Sequence, residues 1–182
     1  IASVIIPQST SSIGHGAFRE CQSLTHINIP NSVATIGGYA FEDCIKLSSI
    51  EIPNGITKIS GSLFLGCTSL TEIFIPESVT SIGGSAFRGC KSLKEFRGKF
   101  ASEDGRCLII DGELNSFAPS GITSYSIPDN VITIADNSLS YSALIEITIP
   151  NSVTSIGTGA FYNCRHLKSV YCKAVVPPIG GY

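Results

Sequence analysis

Six prolines set the terms on which this chain folds. Pro7, Pro30, Pro53 and Pro76 stand 23 residues apart, and Pro150 follows Pro128 by 22. Eleven places after each comes a large apolar residue: Phe18, Phe41, Phe64, Phe87, Leu139 and Phe161. Fourteen places after come Cys21, Cys44, Cys67, Cys90 and Cys164, with Ser142 the one departure. A leucine closes each unit, at Leu24, Leu47, Leu70, Leu93, Leu144 and Leu167. A fixed period of this length means supersecondary units that stack, each burying its apolar face only against its neighbours.

Within one unit, Ile27 and Ile29 alternate with Asn28, the period-two pattern of a strand with one buried face. Pro30 ends that strand because it has no N–H to continue a ladder. Val33 and Ile36 form a second buried segment, Gly37 is expected to allow a sharp bend, and Ala40-Phe41 begins an irregular or short helical turn on the back. Stacking sets Ile on Ile and Phe on Phe. Truncating a central ring, as in Phe41→Ala, should cost ~3–5 kcal/mol.

Composition agrees with a buried core. The 182 residues are 43% hydrophobic with mean hydropathy +0.29, which excludes a disordered chain. Twelve Lys and Arg against 14 Asp and Glu leave no basic excess for neutralising phosphates, so nucleic acid is not an expected partner. No apolar run approaches the ~20 residues of a membrane-spanning helix. The chain has no Met, so it is expected to begin inside a longer protein, and the lack of a signal segment is no sign of a cytosolic location.

The period breaks once. Pro76 and Pro128 are 52 residues apart, more than two units. Residues 93–99 still fit a strand with Phe96 buried, but Asp111-Gly112 between apolar runs signals a hairpin over residues 106–118. Such an insert is either a protruding binding knob or a lengthened repeat that keeps the stack in register.

Chemistry-bearing residues are sparse. Cysteines in a parallel column have Cβ vectors pointing the same way, unfavourable for bridging, and a column does not converge on a metal; reduced, buried thiols are expected. His15, His26 and His166 do not recur with a Ser and an Asp. Asp104-Gly105 and Asp111-Gly112-Glu113 read as turns rather than a calcium loop, and Gly37-Gly38 and Gly83-Gly84 as bends rather than phosphate cradles. No catalytic residue, metal or cofactor is expected.

The unit I-x-I-P-x-S-V-x-x-I-G-x-x-A-F-x-x-C, complete at residues 73–90, resembles the leucine-rich repeat of the BspA-like, treponemal type. The resemblance covers nearly the whole chain, and Val170-Tyr171-Cys172-Lys173-Ala174 to Pro177-Pro178 is similar to that family's closing strand. It implies one domain over residues 1–182: a right-handed leucine-rich repeat solenoid with one parallel sheet of short strands. Its units would be 1–24, 24–47, 47–70 and 70–93, a long unit with the hairpin at 94–122, then 123–144 and 144–167, and a closing strand at 167–182. It further implies a non-enzymatic, secreted or cell-surface bacterial protein that adheres to host or matrix proteins.

The surface for such a partner is the outward side of the strands, two and four places before each proline. Candidates there are Asn28, Glu51, Glu72, Phe74, Glu95, Arg97, Glu146 and Tyr171. Phe74 has no packing duty at an outward position, and aromatics and Arg are enriched at binding hot spots. Glu51, Glu72 and Glu95 around it predict an acidic-rimmed apolar patch suited to a basic protein surface. The competing expectation is a structural spacer, eight turns at ~4.8 Å making a rod roughly 40 Å long.

The register itself is testable by thermal melting. Phe74→Ala should leave Tm nearly unchanged, whereas Phe87→Ala should lower it by many degrees; equal damage from the two would overturn the inward and outward assignment.

Overall fold

The computed structural model describes residues 2–173 and 179–180. The repeats wind into a β-solenoid of about seven turns, each of about 23 residues, with no helix among the described residues. The expected tail residues 174–178 lie outside them.

Fourteen short strands follow the chain: β1 (Ser12–Ile13), β2 (Thr35–Ile36), β3 (Lys58–Ile59), β4 (Glu72–Ile75), β5 (Ser81–Ile82), β6 (Glu95–Gly98), β7 (Cys107–Ile110), β8 (Glu113–Phe117), β9 (Ser124–Ser126), β10 (Thr133–Ile134), β11 (Glu146–Ile149), β12 (Ser155–Ile156), β13 (Ser169–Cys172) and β14 (Ile179–Gly180). They form two kinds of parallel ladder. The face ladder is β4 with β6 and β9 with β11 and β13, of which β4 and β11 run directly into a proline. The other parallel strands make the flank ladder, in which β1 pairs β2, β3 pairs β5, and β8, β10, β12 and β14 pair in series.

Each corner between the ladders is a tight turn. The prolyl carbonyl accepts a hydrogen bond from the residue three places on, as in Val33 N to Pro30 O (3.0 Å) and Val79 N to Pro76 O (3.1 Å). Proline suits this place because the turn uses its carbonyl and has no need of an N–H. On the back, bonds such as Cys44 N to Phe41 O (3.2 Å) and Leu47 N to Cys44 O (3.0 Å) carry the chain round in successive turns. Ring stacks fill the core: Phe18, Phe41, Phe64 and Phe87 lie 5.4–5.7 Å apart between centroids, and the edge of Phe96 ends the column at 5.3 Å from Phe87.

The glycines after β2 and β5 do a different job from the expected bend. Gly37 does not have a positive φ; a Cβ there would lie 2.5 Å from the His15 nitrogen of the preceding turn. Gly83 faces Gly61 N at 2.4 Å in the same way. Adjacent turns approach too closely at these two places for a Cβ, whereas Ser60 and Ala135 fill the equivalent places after β3 and β10. Positive φ is placed elsewhere, in two columns on the back. Tyr39, Ser62, Ser85 and Asn137 share one with Gly16 and Gly159; Glu20, Asp43, Tyr141 and Asn163 share the other with Gly66 and Gly89. Residues with a Cβ pay roughly 1–2 kcal/mol there, set against the turn-to-turn bonds of the same columns, such as Ser62 N to Gly84 O (3.1 Å) and Asp43 N to Leu65 O (2.8 Å).

The insert is a hairpin, β7 with β8 antiparallel, turning at Asp111 and Gly112 with φ of 50° and 82°. It does not protrude as a knob. Its second strand is a rung of the flank ladder, pairing with β10, while β7 borders that ladder as an extra strand. The apolar core divides here into two clusters, and the hairpin serves both: Leu108 and Ala118 join the first, Cys107, Leu114 and Phe117 the second. Asn115 Nδ2 donates to Ile82 O (3.4 Å), a carbonyl that in the preceding unit, Ile59, accepts from the backbone at Gly83.

A paired substitution checks the close-approach column. Gly83→Ala should cost ~1–3 kcal/mol through overpacking. Gly84→Ala, whose Cβ would meet nothing within 4 Å, should leave Tm unchanged.

Candidate partner-binding face

The face ladder alternates buried and exposed side chains. Ile73 and Ile75 point inward, while Glu72 and Phe74 point outward. Phe74 is 55% exposed and Phe87 4%. Pairing of β4 with β6 sets Glu72 beside Glu95 and Phe74 beside Arg97. Two like charges side by side would repel. Arg97 relieves this by donating from Nε to Glu95 Oε1 (2.8 Å), while its Nη2 pairs with Glu95 and lies 3.3 Å from Glu72 Oε2. Arg97 thus offsets one of the three negative charges expected around Phe74. Beside Phe74, on the side of the preceding unit, lies a shallow hollow of about 410 Å³ lined by Asn31, Glu51, Asn54 and the extended residues Ile50, Ile52 and Pro53.

The predicted residues fall into groups. Glu51, Glu72, Phe74, Glu95 and Arg97 form one contiguous patch. Asn28 lies towards the first turns, bridged to Ile5, whose side chain is 95% exposed. Glu146 and Tyr171 belong to the β9–β11–β13 sheet, where Glu146 sits beside Ser169 and Tyr171 beside Thr148. The Ser102–Arg106 turn separates the two sheets: Phe96 N donates to Gly105 O (2.7 Å), occupying the edge that a regular next strand would take.

The sequence pattern conceals a second cluster, on the back. The Arg88 guanidinium lies over the Tyr141 ring at 5.3 Å and the Tyr162 ring at 5.2 Å, and Lys91 Nζ lies 5.8 Å from Tyr141. These residues occupy variable places in three different units, and only the seam at the insert brings them together.

The cysteine column is chemically quiet. All seven thiols are free. The three buried ones of the column do more than fill space: Cys44 donates to Phe18 O (3.1 Å), Cys67 to Phe41 O (3.1 Å) and Cys90 to Phe64 O (3.2 Å), reaching the preceding turn. Burial pushes Cys44 up to about 11 and Cys90 up to about 12, and raises Cys67 too. A thiol so held is a poor nucleophile at neutral pH. Among the described residues no three His, Cys, Asp or Glu side chains converge as metal ligands.

Comparison with known proteins agrees with this geometry. A model of the BspA type leucine rich repeat region matches residues 1–102 and 112–182 in six copies. No curated protein matches. Among solved structures, a leucine-rich repeat protein from Eubacterium ventriosum is 24% identical over 98% of this chain with a TM-score of 0.67. A leucine rich cell surface protein from Faecalibacterium prausnitzii is 26% identical over 94% with a TM-score of 0.53. The T. pallidum leucine rich repeat protein is 26% identical over 98% with a TM-score of 0.56. The chain spans 62%, 60% and 73% of those three proteins.

Alkylation should sort the thiols by burial. At pH 8 the exposed Cys172 should react with iodoacetamide while Cys67 and Cys90 react only after unfolding. Because burial raises the folded-state values of Cys44 and Cys90 above 9.0, their contribution to stability is full below pH 9 and fades as pH climbs towards 11 to 12. Denaturant melts across that window should show the decline, and Cys90→Ala should reduce it.

Proposed function

The chain belongs to the BspA-type leucine-rich repeat family, and on that premise we propose that it is a non-enzymatic, protein-binding module of a bacterial cell-surface or secreted protein, adhering to a host or matrix protein through its strand face. One observation carries this most directly. Phe74 stands half exposed in the middle of the face ladder, beside a hollow and flanked by an arginine already fixed in place by two glutamates. An aromatic presented on a rigid strand loses little entropy on binding, and a pre-ordered Arg loses little more. Glu51, Glu72, Glu95 and Arg97 make the polar surround, Asn28 extends the face towards the first turns, and Glu146 with Tyr171 forms a second contact area. The F. prausnitzii relative, described as a cell surface protein, supports the location.

The self-pairing of Arg97 also favours a second function, a spacer whose face is internally satisfied and inert. The two separate in a binding assay against immobilised extracellular-matrix and cell-surface proteins. Phe74→Ala should weaken the bound partner by ~30-fold, the loss typical of a hot-spot residue at about 2 kcal/mol. If every interaction survives both Phe74→Ala and charge reversal at Glu51, Glu72 and Glu95, the module is a spacer.

A further inference from the structure

On the back of the coil, we propose that a hollow of about 320 Å³ walled by Lys91, Tyr141, Asn163, Arg165 and His166 is a binding site for a doubly charged tetrahedral oxyanion, a phosphate or sulfate group. This site is independent of the strand face.

The first argument is charge. The chain carries more acidic than basic residues, 14 against 12, yet Lys91 and Arg165 line this hollow beside the His166 ring, with no carboxylate among its lining residues. They come from three levels of the coil. Lys91 follows the fourth cysteine, Tyr141 sits in the turn before Ser142, and Arg165 and His166 follow Cys164. The seam left by the insert is what lets Lys91 reach Tyr141, so a regular stack would not build this site.

The second argument is pre-organisation. Arg165 Nε donates to Asn163 Oδ1 (2.6 Å), which fixes the guanidinium plane and directs its remaining N–H groups elsewhere. Arg88, held by the faces of Tyr141 and Tyr162, lines the adjoining hollow with Glu42 and Asp43 and is not part of this site.

The third argument selects the ligand. A phosphate monoester carries about −1.5 to −2 charges and three strong acceptor oxygens, which suits a hollow lined by two cations, Lys91 and Arg165, better than a single carboxylate does. The adjoining hollow, which shares Lys91 and Tyr141, is bordered by Asp43 and by Glu42, the latter paired with Arg19. The Asp43 carboxylate repels an anion extended in that direction, so the site suits one compact group rather than a polyanionic chain.

Calorimetric titration of the whole chain with sodium phosphate, and separately with sulfate, at constant ionic strength tests this. Saturable binding is expected, weakened at least ten-fold in Lys91→Gln and in Arg165→Gln, and unchanged in Lys58→Gln and Phe74→Ala, which lie on the flank strand and the face. Glucose 6-phosphate in parallel distinguishes the source: binding at least as tight as inorganic phosphate assigns an esterified group, and binding of the free ions alone assigns a free anion. Should Lys91→Gln melt early through loss of its contact with Tyr141, Arg165→Gln decides, read as the phosphate-dependent rise in Tm that wild type shows and the variant lacks. No binding of ion or ester, or a loss in Arg165→Gln no greater than in Lys58→Gln, overturns the proposal.

Discussion

A single spacing governs this molecule: where their strands pair, consecutive turns lie one strand separation apart, ~4.8 Å. At two places on the flank the turns come closer still, and a Cβ on Gly37 or Gly83 would meet backbone of the preceding turn at 2.5 or 2.4 Å. In the core the spacing suits flat rings, and the phenylalanines stack face on face. On the back it lets a thiol reach the carbonyl of the turn before it, so the cysteine column satisfies part of the backbone as well as filling volume. It also imposes left-handed backbone on residues with no special aptitude for it, such as Tyr39 and Tyr141.

The period of the prolines made the solenoid legible, because each proline marks a corner where its missing N–H costs nothing. The alternation of Ile73, Phe74 and Ile75 made the outward residues legible, since a strand has only two faces. The hairpin could be read from Asp111-Gly112 because both residues must adopt positive φ. Its destination could not. Whether β8 would protrude or take a rung depends on the register of Glu113 and Leu114 with Thr133 and Ile134, a long-range fit that local sequence does not encode. The left-handed columns were hidden because glycine occupies only four of their twelve places. The role of Gly37 was misjudged for a related reason: a glycine required by a neighbour's backbone looks, in sequence, like a glycine required by its own.

The face and the back respond differently to the same break in the repeat. On the face, the Ser102–Arg106 turn divides the ladder, so residues that share a column in the sequence, Arg97 and Tyr171 among them, belong to two sheets. On the back, the break draws distant units together, so Arg88 and Lys91 meet tyrosines of units that follow the insert. An irregularity in one stretch of chain thus limits the continuous extent of one surface while assembling another that a regular repeat would lack. Within the face, the pairing of Glu72, Glu95 and Arg97 keeps adjacent glutamates compatible, and it leaves Phe74 as the feature that distinguishes this stretch from its neighbours.

The side-chain amide of Asn115 stands where a backbone rung would otherwise join the two core clusters. In a solenoid, strength is carried by nearest-neighbour interfaces. Under tension applied at both ends, this junction is where the coil would part first, releasing the stretch around the hairpin as slack while the ring stacks of the early turns stay closed. A protein anchored at one end and gripped at the other would yield there by a measured length before anything else tore.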